Sequence, residues 1–374
     1  MSTCVADLVR EFDYHPAVSA RALRQMLDDD AEGFLEQSIG VLRTDVDSEG
    51  AAYLIRMVAS HPQALERITD PLHFTAAQSL DIAQRLHAVD PGTDVRLLKL
   101  VVGCGAPPAI RSQWQTNRVL EVASRLTDCK RIPAVLANLL RHEDAYVRSK
   151  ATLMMGRINQ NMRWVEDRLN DPDPRVRANA IECLWGSACI ECKAILLAAA
   201  RDPDHRVAAN AAVGLHRIGE LASVRILMAL MARSDAWDRA AGAWAAGETS
   251  DPRFLPVLSH LDDSNGPVRQ NVLRALVRLR ESLARRQKMP LLRVSADWDG
   301  DRAVWAEVRA ADGSVVPRLP ATAFVVTGHD RTVDIASVTY ESPHRYTVEL
   351  DLCCRMPVVI DVFSDHGRGG TRIE

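Results

Sequence analysis

Apolar residues recur at three- and four-residue steps through most of residues 112–284, the interval that lines up one face of a helix. Val176, Ala180, Cys183 and Leu184 form one such series, and Val207, Ala211, Leu215 and Ile218 another. The same step runs more loosely through 17–27, 33–42, 51–59 and 76–86. Thr75 and Gln78 fit a capping box ahead of the last of these. Asp70-Pro71 and Asp90-Pro91 separate helices, because proline disfavours helix at the residue before it. After Pro290 the period falls to two. The β-branched runs 292–296, 303–308, 324–327, 333–340, 346–350 and 358–363 read as strands, with Asp312-Gly313 as a turn between two of them.

Within the helical part, five segments are in register. Residues 144–151, 173–180, 204–211, 235–242 and 265–272 read DAYVRSKA, DPRVRANA, DHRVAANA, DAWDRAAG and NGPVRQNV. Their Val positions, with Asp238 standing in the fourth, are spaced by 29, 31, 31 and 30 residues. Arg118 lies 30 residues before Arg148 and marks a weaker copy. Each period holds two helices and two turns. The leading Asp or Asn suits an N-cap, whose side chain accepts from otherwise unpaired amides. Asp171-Pro172, Asp202-Pro203 and Asp251-Pro252 mark turns, and the small residues Ala151, Ala180 and Ala211 let helices approach closely. A fixed period of this length is the signature of a repeat array in which each unit buries its face only against its neighbours.

This motif, Asp-x-x-Val-Arg-x-x-Ala followed by an apolar helix, resembles the HEAT family, in particular the short bacterial HEAT-like repeats also found in phycobilisome lyases. The resemblance spans residues 112–284 and departs from the pattern where Asp238 replaces Val and Ala208 replaces Arg. It implies a mainly α architecture, a right-handed α-solenoid whose second helices line one surface. The strand-rich remainder, with six or seven short strands, is expected to form a small immunoglobulin-like β-sandwich. The domain boundaries expected on this reading are 1–110 for degenerate capping repeats, 111–288 for the repeat solenoid and 289–374 for the sandwich.

Charge is uneven along the chain. Residues 1–110 carry 9 Lys and Arg against 16 Asp and Glu, residues 111–288 carry 28 against 20, and residues 289–374 carry 9 against 13. A basic middle attracts an anionic partner unless its arginines serve the repeats themselves. The N-terminal stretch mixes Asp7, Arg10 and Glu11 with its apolar residues, which excludes a secretory signal, and no run approaches membrane-spanning length. The chain is expected to be soluble and cytoplasmic, with its eight cysteines reduced and packed as small apolar residues. Cys189-x-x-Cys192 opens like a zinc or redox motif but lacks a second ligand pair. Asp297, Asp299 and Asp301 resemble half of a metal loop without its closing acid, which favours a hairpin turn. Gly367-Arg368-Gly369-Gly370 reads as a flexible tail.

No nucleotide loop, nucleophile elbow or metalloprotease helix is present, so neither a cofactor nor a catalytic set is expected. Asn179, Asn210 and Asn271 share one repeat position and are expected to satisfy the neighbouring loop's backbone. Residues at two offsets after the repeat arginine point away from the Val–Ala–Leu stripe. They are Leu153, Glu182, Val213, Trp244 and Arg274 at the first, and Arg157, Gly186, Arg217, Glu248 and Arg278 at the second. Arg157, Arg217, Trp244, Arg274 and Arg278 are therefore the expected binding residues on the exposed face, Trp and Arg being common interface anchors. The expected function is a non-catalytic scaffold for a protein partner. Nucleic-acid binding of the kind seen in HEAT-like DNA-alkylation-repair glycosylases, with Trp185, Trp237 and Trp244 as aromatic walls, is the alternative, and a bilin lyase or isomerase is a more distant one.

Overall fold

In the computed structural model the three- and four-residue steps become helices and the alternating runs become strands. Residues 4–44, 47–59, 61, 63–102, 113–126, 133–158, 163–298, 302–328, 331–342, 344–351, 357–364 and 366–373 are described. They divide into two compact units, Met1–Met162 and Arg163–Glu374. Asp299, Gly300 and Asp301 lie outside the described residues.

The first unit holds α1 (Val5–Glu11), α2 (Pro16–Asp29), α3 (Ala31–Leu42), α4 (Glu49–Val58), α5 (Ala64–Ile68), α6 (Ala76–Val89), α7 (Thr93–Val102), α8 (Gln113–Leu126), α9 (Pro133–Leu139) and α10 (Ala145–Ile158). Helix α4 packs on α6, α6 on α8 and α8 on α10, while α3, α5, α7 and α9 form a second row packed in the same order. Two rows of alternating helices are the architecture of stacked helical pairs. The degenerate segments therefore share the repeat's layout without its motif. Thr75 and Gln78 close the capping box on α6, each side chain accepting from the other's amide at 3.3 and 3.0 Å.

The second unit continues with α11 (Arg163–Leu169), α12 (Pro174–Glu182), α13 (Ile190–Ala199), α14 (His205–Arg217), α15 (Ala222–Met231), α16 (Ala236–Thr249), α17 (Phe254–His260) and α18 (Gly266–Gln287). Helices α12, α14, α16 and α18 stack in that order. Every one opens on its motif's cap, with Asp173, Asp204, Asp235 and Asn265 accepting from amides in the first turn. The motif arginine braces the turn behind it. Arg177 donates to the carbonyls of Asp171 and Pro172 and reaches forward to the Asp202 carboxylate at 3.0 Å. Arg239 does the same with Arg233, Ser234 and Asp263, and Arg269 grips the carbonyls of Asp263 and Ser264.

The third copy lacks both halves of this brace. Ala208 replaces the donor, and Arg233 stands where Asp202 and Asp263 stand in their repeats. Because donor and acceptor are lost together, no carboxylate is left without its cation, and the stack continues. The shared asparagine is structural, as expected, but it bonds a neighbouring helix rather than a loop. Asn210 donates to Ala178 O in α12, and Asn271 to Ala240 O in α16, both at 2.9 Å. Ala151, Ala180 and Ala211 are fully buried.

The chain then forms β1 (Leu292–Trp298), β2 (Ala303–Ala310), a 3-10 turn (Ala321–Ala323), β3 (Phe324–Gly328), β4 (Arg331–Val333), β5 (Ile335–Ser342), β6 (Arg345–Leu350), β7 (Val358–Ser364) and β8 (Gly367–Ile373). Two four-stranded antiparallel sheets have the orders β1-β2-β6-β5 and β4-β3-β7-β8. Lettered along the chain these are A-B-E-D and C′-C-F-G, the immunoglobulin arrangement. Between the sheets pack Val304, Ala306, Phe324, Tyr346, Val348, Ile360 and Val362. The run 333–340, which reads as one strand, is two, since the chain changes sheet at Asp334.

Two expectations fail here. The glycines at 367–370 are no tail but the start of β8, which pairs with β7 from Gly367 to Ile373. They are needed for close approach to β1, because a Cβ on Gly369 would sit 2.4 Å from the Leu292 carbonyl oxygen. The cysteines are not uniformly reduced, since Cys189 and Cys192 are joined in a disulfide. Cys189 is the N-cap of α13 and Cys192 lies one turn on, so their Cα atoms are 5.2 Å apart, within disulfide reach. No helix among the described residues is long and apolar enough to cross a membrane.

Candidate functional site

Within the second unit the sandwich docks on the repeats through the turn after α14. That helix ends in a Schellman closure, with Gly219 N–H donating to His216 O and Glu220 N–H to Leu215 O at 2.9 Å each. Gly219 has φ +84°, and a Cβ there would lie 2.7 Å from Pro320 Cβ. Glycine is thus required both for the turn and for the contact. Leu221 joins the sandwich core, Arg225 pairs with Asp351 at 3.3 Å, and Arg253 donates to Thr322 O at 3.2 Å.

Beside this contact lies a cleft of about 300 Å³ lined by His216, Arg217, Asp251, Arg286, Arg318, Phe363, Ser364 and His366, among others. At its base His216 Nε2 meets Asp251 Oδ2 at 2.9 Å, and Arg253 binds both oxygens of the same carboxylate at 2.5 to 3.1 Å. Burial pushes the Asp251 carboxyl up, but hydrogen bonds from His216 and Arg253 outweigh it and hold the group well below the usual carboxylate range. The only carboxylate among the described lining residues is therefore ionised and neutralised within the protein. Three guanidinium groups surround it, each set against an aromatic ring. Arg217 stands 4.4 Å from the centroid of Trp185, Arg286 5.7 Å from Phe363 and Arg318 5.3 Å from Tyr340. The arrangement suits binding of carboxylate or phosphate groups.

Of the stripe expected from the sequence, only Arg217 enters this cleft. Arg274 is exposed on α18, twelve residues and so about 18 Å along the helix from Arg286. Arg278 pairs with Glu248 of the preceding repeat. Arg157, in the first unit, donates to Ser124 O at 2.9 Å. Trp244 is half-buried against the repeat core, and Val213, at the same offset, is fully buried. The first offset therefore does not define an outward face, because on α14 neighbours cover that side too. His216, Asp251, Arg286, Arg318 and His366 were not anticipated. They come from helix ends and sandwich loops far apart in sequence, so no local period marks them. Asp251-Pro252 gave the one signal, and it was legible only as a turn.

Comparison with known proteins agrees with the geometry of the stack. Three overlapping segments, 132–195, 162–247 and 194–277, match the HEAT repeat family. The matched segments together span residues 132–277. The solved structures that resemble the chain include YibA of Escherichia coli, 15% identical with a TM-score of 0.35 over 67% of this chain and 97% of that one. Human deoxyhypusine hydroxylase in complex with glycerol is 16% identical with a TM-score of 0.30, covering 69% of this chain and 99% of its own. The Pseudomonas fluorescens alkylpurine DNA glycosylase AlkC, bound to DNA containing an abasic-site analogue, is 13% identical with a TM-score of 0.25, over 86% and 99%. Among curated proteins no match to the chain is found. The basic cleft lies where the helical repeats meet the sandwich.

Proposed function

We propose that this HEAT-repeat chain is a non-catalytic scaffold for a protein partner and holds an acidic segment of that partner in the basic cleft. One observation carries the reading: cations from α14, α18 and the loop before the 3-10 turn converge on a recess whose carboxylate is already neutralised. Arg217 and the exposed Arg274 are the stripe residues that fit this role. Arg278, Arg157 and Trp244 contribute less, being engaged with Glu248, Ser124 and the core.

The nucleic-acid alternative draws on the basic middle of the chain. Arg177, Arg239 and Arg269 are engaged in repeat braces, and Arg148 likewise donates to the carbonyls of His142 and Glu143. That leaves less of the excess charge for phosphates. A bilin lyase or isomerase rests on family resemblance alone.

The test uses the immobilised full chain and a lysate of its native cells. A protein should be retained in near one-to-one amount. Arg217→Glu combined with Arg318→Glu should weaken retention about tenfold or more, on the order of 1.4 kcal/mol, with an unchanged circular dichroism spectrum. Unaltered retention would place the contact surface elsewhere. Tight binding of labelled duplex DNA that falls steeply with salt would replace the scaffold reading with the nucleic-acid one.

A further inference from the structure

The Cys189–Cys192 disulfide takes no part in the cleft, and its surroundings are asymmetric. Cys189 is exposed, whereas Cys192 is 1% exposed. The turn that leads into it leaves Gly186, Ala188, Ile190 and Glu191 exposed, so the segment around Cys189 faces solvent. Ile190, between the two cysteines, is 85% exposed. The Cys192 amide donates to Cys189 Sγ at 3.2 Å, and the ten-residue α13 runs away from that sulfur. A thiolate on Cys189 is thus stabilised by an N–H donor and by the positive end of the helix.

We propose that Cys189 and Cys192 form a thiol–disulfide exchange site that is reduced by a dithiol through Cys189. One thiolate of the dithiol attacks Cys189 Sγ, which belongs to the exposed residue of the pair. The Cys189–Cys192 bond breaks, Cys192 leaves as a thiolate and takes up a proton, and a mixed disulfide joins Cys189 to the reductant. The reductant's second thiol, deprotonated, then attacks its own sulfur in that bond and releases Cys189 as a thiolate. In balance, the protein disulfide gains two electrons and two protons to become a dithiol, and the reductant becomes a disulfide. In the reverse direction Cys189 is the nucleophile and Cys192 the resolving thiol. Ile190 supplies an apolar contact beside the reacting sulfur, which favours a protein dithiol over a small one.

The site is tested on the full chain by differential alkylation and peptide mass mapping, which reads Cys189 and Cys192 apart from the other cysteines. Prepared without reductant, both should be protected; after dithiothreitol or a thioredoxin, both should become alkylated together. The thioredoxin should act faster per mole, and Ile190→Ser should slow it without changing the dithiothreitol rate. Equal rates per mole, insensitive to Ile190→Ser, would assign the reductant to the small-molecule class.

In Cys192→Ser, oxidised glutathione should leave a stable adduct on Cys189. In Cys189→Ser, which alters an exposed position, Cys192 should stay unmodified in the folded protein. Full alkylation of both cysteines in protein exposed to oxidised glutathione would overturn the proposal. So would the absence of a Cys189 adduct in a folded Cys192→Ser protein.

Discussion

Helices α14 and α18 open on the same repeat motif yet sit in opposite surroundings. Every residue of α14 from Val207 to Leu215 is buried, whereas α18 leaves Leu273 64% and Val277 54% exposed. Helix α14 lies between α12 and α16, with α13 and α15 also packed on it. Helix α18 is the last of its row, with α16 as its single neighbour in the row and α17 and β8 also packed on it. In a stack where each repeat contacts its neighbours, position in the row decides how much of a helix is covered. The motif supplies the cap in both, the brace only in α18 through Arg269, and burial is added by context.

The sharpest way to break this comparison uses Val213 and Arg274, which occupy one repeat offset. Val213→Asp places an unpaired charge in a fully buried site and should cost roughly 4 kcal/mol. Arg274→Asp should stay within about 0.5 kcal/mol. Urea denaturation of both variants measures the contrast, and similar costs would mean that α14 and α18 are equally covered.

The next effect concerns the anchor between repeats and sandwich. Asp251→Ala leaves Arg253 buried without its carboxylate and should cost about 3 kcal/mol at neutral pH. The folded-state carboxyl is depressed, so its stabilising contribution is present above the unfolded value of about 3.9 and fades as pH falls below it. The stability gap between wild type and variant should therefore be constant from about pH 5 to 7 and narrow toward about pH 2 to 3. A gap that widens on acidification would contradict the assigned ionisation.

The smallest effect separates the two asparagines. Asn210 is 6% exposed, and Asn210→Ala removes its bond to Ala178 O, at a cost of about 1–2 kcal/mol. Asn271 makes the equivalent bond from a half-buried position, where water can replace it, so Asn271→Ala should cost under about 1 kcal/mol. Equal costs from thermal denaturation would show that row position does not modulate the shared bond.

The sequence by itself determined the repeat. Caps, braces and helical period act within a few residues of one another, and their recurrence at 29 to 31 residues made them legible. Strand alternation likewise announced a sandwich. Local period could not say that 333–340 changes sheet at Asp334, or that the glycines from 367 belong to a strand packed on β1, because both depend on which backbone lies opposite. The outward stripe was read from helical geometry alone. Arg157, Arg217, Arg274 and Arg278 are exposed, whereas Val213 is buried, because flanking helices cover a side that the period leaves open. The cleft belongs wholly to tertiary structure. Its cations come from positions between 217 and 318 in sequence, and only docking of the sandwich on Gly219 and Arg253 brings them to one recess, around a carboxylate that His216 and Arg253 keep ionised.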